Sequence, residues 1–126
     1  MINDIHISEH FKLSEFESRD TKEVIIVPKL IDKLESLRAI VCNYFERDTP
    51  LVINSGYRTP EHNKAEGGAD DSRHLYGDAS DVANPNGLAI DLFAVMGDSV
   101  GFDGIGKYNG RVHFDVRGFK ARWDSR

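Results

Sequence analysis

The chain has 126 residues, 40% of them apolar and 29% charged, which suits one compact domain with a single core and excludes a fibrous or low-complexity protein. Its net charge of −5 counts weakly against a nucleic-acid binder, and its single cysteine, Cys42, excludes an internal disulfide framework and a Cys-rich zinc ribbon. A metal, if held, falls to the five histidines and 21 acidic residues.

Taken in chain order, Phe11, Leu13 and Phe16 anchor the first stretch, where Ser14-x-x-Glu17 fits the cap of a short helical turn. Val24-Ile25-Ile26-Val27 reads as a strand or as an extended plug into the core, stopped by Pro28. From Pro28 to Glu46, apolar residues at Leu30, Ile31, Leu34, Leu37, Val41, Tyr44 and Phe45 follow the spacing of one helical face. Leu51 to Ser55 reads as a strand ended by Gly56, and Thr59-Pro60-Glu61 as a helix start with a Thr cap, the helix ending by Gly67-Gly68. A polar loop, Ala69 to Arg73, precedes an alternation of Gly77, Ala79 and Asp81 that reads as a strand. Leu88 to Met96 reads as a buried helix. Phe102–Tyr108 and Gly110–Val116 read as two strands joined by the hairpin signal Asn109-Gly110. These elements predict an α+β fold: a small antiparallel sheet with helices packed on one side, in one domain spanning residues 1–126.

Charge is uneven. From Gly104 onward six basic residues stand against two acidic ones, a local +4 that leaves −9 on the remainder. The basic end fits either a surface for an anionic polymer or a solvated tail. No apolar run approaches the roughly 20 residues that cross a bilayer. Met-Ile-Asn-Asp-Ile-His lacks the basic and apolar regions of a signal peptide, so synthesis in the cytoplasm is expected. Oligomeric state is left open.

Three side chains carry the chemistry. His74 closes the polar loop, Asp81 follows seven residues later, and His113 sits mid-strand in the last hairpin. Two imidazoles and one carboxylate are a donor set for zinc with a fourth position open. A lone strand histidine is more often structural, and it is the longer motif that lifts the reading. Ser72-x-His74-x-x-Gly77-x-Ala79-x-Asp81 resembles the signature of the D-Ala-D-Ala carboxypeptidase superfamily of zinc peptidases, whose fold is shared by hedgehog domains. Ser55-Gly56-Tyr57-Arg58 resembles the segment upstream of that family's zinc loop. Gly104-Ile105-Gly106-x-Tyr108 with Val112-His113-Phe114-Asp115 resembles its closing hairpin, in the subgroup that ends in His-x-Asp.

The resemblance implies Zn2+ on His74, Asp81 and His113, with activated water attacking a peptide carbonyl of peptidoglycan stem or cross-link peptides. It implies substrate binding and transition-state stabilisation by Arg58, against which stands a structural ion pair with Asp70-Asp71. Ser72 is a candidate for a hydrogen bond near the site or for turning the loop, and Tyr57 for flanking substrate or for packing. In the dipeptidase branch the general base is a Glu three residues before the last His ligand, where this chain has Gly110. Asp115, two residues from His113 and so on the same strand face, is the candidate base; orienting a ligand or pairing with an arginine is its competing role. His62, Asp71 and Asp78 are weaker candidates, and His6 and His10 are expected to be exposed. The resemblance places the action at the cell wall, and a phage lysis or tail enzyme or a cytoplasmic recycling enzyme fits it. The missing Glu keeps a second reading open: a non-catalytic zinc-binding or phage structural domain of the same fold.

Overall fold

A computed structural model describes residues 2–126. The long helix α1 runs Pro28–Phe45, started by proline at its first position and closed by Glu46 in the left-handed region at φ 54°. It buries Leu30, Ile31, Leu34, Leu37 and Val41, the stripe expected of its spacing. The short helix α2, Pro60–Ala65, is capped by the Thr59 hydroxyl, which accepts from the His62 N–H at 3.1 Å. Helix α3 runs Ile90–Ser99. It starts two residues later than its apolar run, because Pro85–Gly87 first forms a 3-10 turn whose carbonyl takes the Leu88 N–H.

The strands are β1 (Ile53–Ser55), β2 (Ala79–Ala83), β3 (Gly104–Tyr108), β4 (Arg111–Asp115) and β5 (Ala121–Asp124). They form one sheet in the order β1-β2-β4-β3-β5. All pairs are antiparallel except β3 with β5, so the sheet is mixed rather than antiparallel throughout. The expected α+β architecture holds, with one strand more than the sequence pattern shows. Residues 121–124, part of the basic end read as a surface for an anionic polymer or as a solvated tail, are that fifth strand. Its hydrogen bonds to β3 give the backbone a partner that the side-chain pattern did not announce.

Val24–Val27 takes the second of its two readings, an extended plug that joins no strand: Val24, Ile26 and Val27 pack against the core, and the Val27 N–H bonds the Gly77 carbonyl at 3.1 Å. Two other expectations change. Gly77 is not on β2. It ends a 3-10 turn at Arg73–Tyr76 with φ 71°, and a Cβ there would lie 2.2 Å from the Ile25 carbonyl oxygen. Near the N-terminus the short turn forms at Leu13–Phe16, but Glu15 rather than Glu17 bonds back, to the Lys12 N–H at 2.7 Å.

Period-2 alternation divides the sheet into two faces. Val82, Ile105, Val112 and Phe114 turn to the core and the helices. The Phe114 ring meets Phe93 edge-on at 5.2 Å and Phe102 at 4.8 Å. The other face carries Asp81, His113 and Asp115. No helix among the described residues is long and apolar enough to cross a membrane.

Phe114 is fully buried at the centre of this aromatic group. Replacing it by Ala is expected to cost about 3–5 kcal/mol, read as a lowered urea midpoint with unchanged slope.

Candidate metal centre

One transverse row of the sheet assembles the site. Ser55 pairs Asp81, Asp81 pairs His113, His113 pairs Gly106, and Gly106 pairs Trp123. Cross-strand partners lie about 4.5–5.5 Å apart, so Asp81 and His113 meet through register alone. His74 reaches the same point from the 3-10 turn before β2. His74, Asp81 and His113 each offer a ligand atom, and these atoms lie within 4.8 Å of one another. His74 Nε2 is 3.3 Å and His113 Nδ1 3.2 Å from the same oxygen, Asp81 Oδ1.

The far nitrogen of each imidazole is also committed. His74 Nδ1 lies 2.7 Å from the Gly56 carbonyl, an acceptor, so it carries the proton and Nε2 presents its lone pair to the cluster. His113 Nε2 lies 2.7 Å from Asp115 Oδ2, leaving Nδ1 for the cluster. Outer partners of this kind fix the tautomer and ring orientation of metal-binding histidines. The donor set therefore fits a divalent cation: two imidazole nitrogens and a carboxylate converge, with their outward atoms already satisfied.

Asp115 is fully buried and does not line the cavity. It accepts from His113, from the Gly104 N–H at 3.0 Å, and from Arg117 Nε at 3.0 Å and Nη2 at 2.7 Å. Burial pushes the carboxyls of Asp81 and Asp115 up. Hydrogen bonds outweigh this, from His113 and His74 on Asp81 and from His113 and Arg117 on Asp115, and hold both well below the ordinary 3.8. Burial pushes the His113 imidazole down, but Asp115 and Asp81 outweigh it and raise His113 above 6.5.

The two glycines of β3 have a steric cause. A Cβ on Gly104 would lie 2.1 Å from Asp115 Oδ2, and one on Gly106 would lie 2.2 Å from Trp123 Cε2. Their bareness admits the carboxylate beside one and the indole over the other. Trp123 thereby packs on His113, ring centroids 5.0 Å apart, and donates to the Tyr108 hydroxyl at 2.8 Å. The sequence reading missed Trp123; the only signal was the short alternation of Ala121 and Trp123 with charged residues.

A cavity of about 520 Å³ opens over the cluster, in the range of small-ligand sites. Arg58 and Ser72 line it. Arg58 pairs with Asp81 Oδ2 at 3.4 Å rather than with the acidic loop, and donates to Ser55 Oγ at 3.1 Å and Asn63 Oδ1 at 3.3 Å. Ser72 Oγ accepts from the His74 N–H at 3.3 Å, capping the turn that carries the ligand. Tyr57 is buried away from the cavity, its N–H on the Phe16 carbonyl. Of the weaker base candidates, Asp71 lines the cavity, while Asp78 is tied to Arg73, and His62 lies beside Glu66 at 3.6 Å. His6 and His10 are exposed.

An α+β sheet that gathers two imidazoles, a carboxylate and an arginine at one cavity defines a site able to hold a metal ion. A family model described as Peptidase M15 matches residues 9–115, and the chain belongs to that family of metal-dependent peptidases. No curated protein matches the chain.

The pH dependence of stability without metal follows from the shifts. The contribution of His113 is full below pH 6.5 and is lost as pH rises through its raised folded value; those of Asp81 and Asp115 are full above 3.8 and are lost as pH falls. The urea midpoint of chelator-treated protein is expected to peak between these values. A midpoint still rising above pH 7 would contradict the arrangement.

Proposed function

We propose that the protein is a zinc peptidase that cleaves peptidoglycan stem or cross-link peptides, as a D-alanyl-D-alanine carboxypeptidase or a murein endopeptidase. The observation that carries it is the convergence of His74, Asp81 and His113, each imidazole held by a second partner, under a cavity that also presents Arg58. His74 Nε2, Asp81 and His113 Nδ1 would hold Zn2+, whose chemistry here is Lewis acidity and a low-pKa water.

The other roles belong to the chain. Arg58 is anchored through three contacts and turns its remaining donors to a substrate carbonyl oxygen as that oxygen gains charge. Asp115 is the positioning residue for His113: its buried carboxylate fixes the proton on Nε2, and its saturation by Arg117 and Gly104 leaves it no path to substrate. Asp71, the cavity carboxylate among the candidates weighed, is the group to accept a proton from water and pass it to the leaving amine. Ser72 keeps His74 in place, and Tyr57 serves packing. The substrate implies action at the cell wall, as in a phage lysis enzyme.

Mass spectrometry of muropeptides digested with zinc-loaded protein tests the reading, since product masses name the bond cut. Chelation and His113→Ala are each expected to abolish cleavage, and zinc bound at one equivalent with no product from any muropeptide would refute it. Asp115→Asn separates the two roles of that residue. As a positioning group its loss weakens zinc binding about 10–100-fold, with turnover recovering at saturating zinc. Turnover that stays lost with zinc fully bound would make Asp115 the base.

A further inference from the structure

Four arginines line the cavity: Arg58, Arg73, Arg111 and Arg117. Arg58 pairs with Asp81, Arg73 with Asp78 and Arg117 with Asp115. Arg111 has no carboxylate within ion-pair distance and no hydrogen-bonded side-chain partner among the described residues. It is nevertheless held. Its guanidinium carbon stacks 4.4 Å above the centre of the Tyr108 ring, directly across the hairpin, and the Tyr108 hydroxyl is fixed by Trp123 Nε1 at 2.8 Å. Trp123 in turn rests on His113. Aromatic stacking leaves the in-plane N–H groups of a guanidinium open for a planar, bidentate acceptor.

Arg111 and His113 are two residues apart on β4 and share its cavity face, one strand repeat of about 7 Å apart. One peptide residue spans about 3.8 Å and a charge-assisted contact about 2.8 Å more. That reach is on the scale of the spacing between the two β4 positions, so a carboxylate on the residue next to the scissile carbonyl is the group of a bound peptide that we place at Arg111.

We propose that Arg111, set on the Tyr108–Trp123 platform, is a specificity-determining residue that binds a carboxylate on the substrate residue flanking the scissile bond. The assignment rests on the peptidase reading above for the word substrate. The carboxylate is either a free C-terminus or a side-chain acid, and the test separates the two.

Two pairs of acetylated dipeptides serve as probes. The first is D-Ala-D-Ala as the C-terminal acid or amide. The second has an amidated C-terminus and D-Glu or D-Gln after L-Ala. Each is made both as a cleavable peptide and as an uncleavable ketomethylene analogue. Binding of the analogues to the zinc-loaded full chain is read from the emission of Trp123, the single tryptophan, and kcat and KM are measured on the peptides.

The wild-type protein is expected to bind the acid of one pair about 10–100-fold tighter than its amide. Which pair shows the preference names the source of the carboxylate. Arg111→Gln, a half-buried surface change, is expected to bring acid down to amide while leaving the amide as it was, with the loss in KM. Arg111→Lys keeps the charge and is expected to retain part of the preference. Equal binding of acid and amide in both pairs, or an acid preference that survives in Arg111→Gln, overturns the assignment. Acid-selective binding without cleavage of any peptide overturns the peptidase reading and leaves Arg111 as a carboxylate-binding residue.

Discussion

A single carboxylate oxygen organises the centre of this molecule. Asp81 Oδ1 stands 3.3 Å from one imidazole and 3.2 Å from another, on a side chain that is buried but borders the cavity. Burying a charge this deeply is costly unless it is paired, and the pairing here is threefold: two histidines on one oxygen and Arg58 on the other. Every neighbouring choice serves to keep these groups aimed at one another. The Gly56 carbonyl and Asp115 take the outward nitrogens, Arg117 neutralises Asp115, and Gly104 gives that carboxylate both room and an N–H. A cation at the cluster would add a further positive partner beside this carboxylate.

The division of the sheet into two faces makes this possible. Phe114 lies between His113 and Asp115 in the chain and points the opposite way, into the aromatic group beneath α3. The strand that carries the chemistry is thus clamped from behind by the apolar core. Metal ligands on such a strand gain their geometry from the core at no cost in mobility, whereas His74 needs its own device, a capped 3-10 turn fixed by Ser72 and Gly77.

Much of this was legible in the sequence, for physical reasons. Strong periodicity announced α1 and the Asn109-Gly110 turn announced the final hairpin, while the cluster of His74, Asp81 and His113 was legible through the resemblance of the longer motifs around it, not through spacing alone. What stayed hidden depends on partners distant in the chain. Strand alternation puts Asp115 beside His113 and leaves it as base or as a ligand-orienting partner of an arginine; only the tertiary contacts of Arg117 and Gly104 reveal how fully it is occupied. Ala121–Asp124 is too short and too charged to read as a strand, and its pairing with β3 is parallel, without a hairpin to betray it. Trp123 was hidden with it.

That last strand carries a consequence for how such a site diversifies. The matched family span closes at Asp115, at the end of β4, with all three cluster residues inside it. The aromatic wall contributed by Trp123 comes from a separate edge strand, attached along β3 by backbone hydrogen bonds that any residue can make. The three cluster residues and the indole that walls the cavity thus sit on different pieces of backbone. Selection can rewrite the outer strand to fit a new wall chemistry while the buried carboxylate and its imidazoles stay untouched.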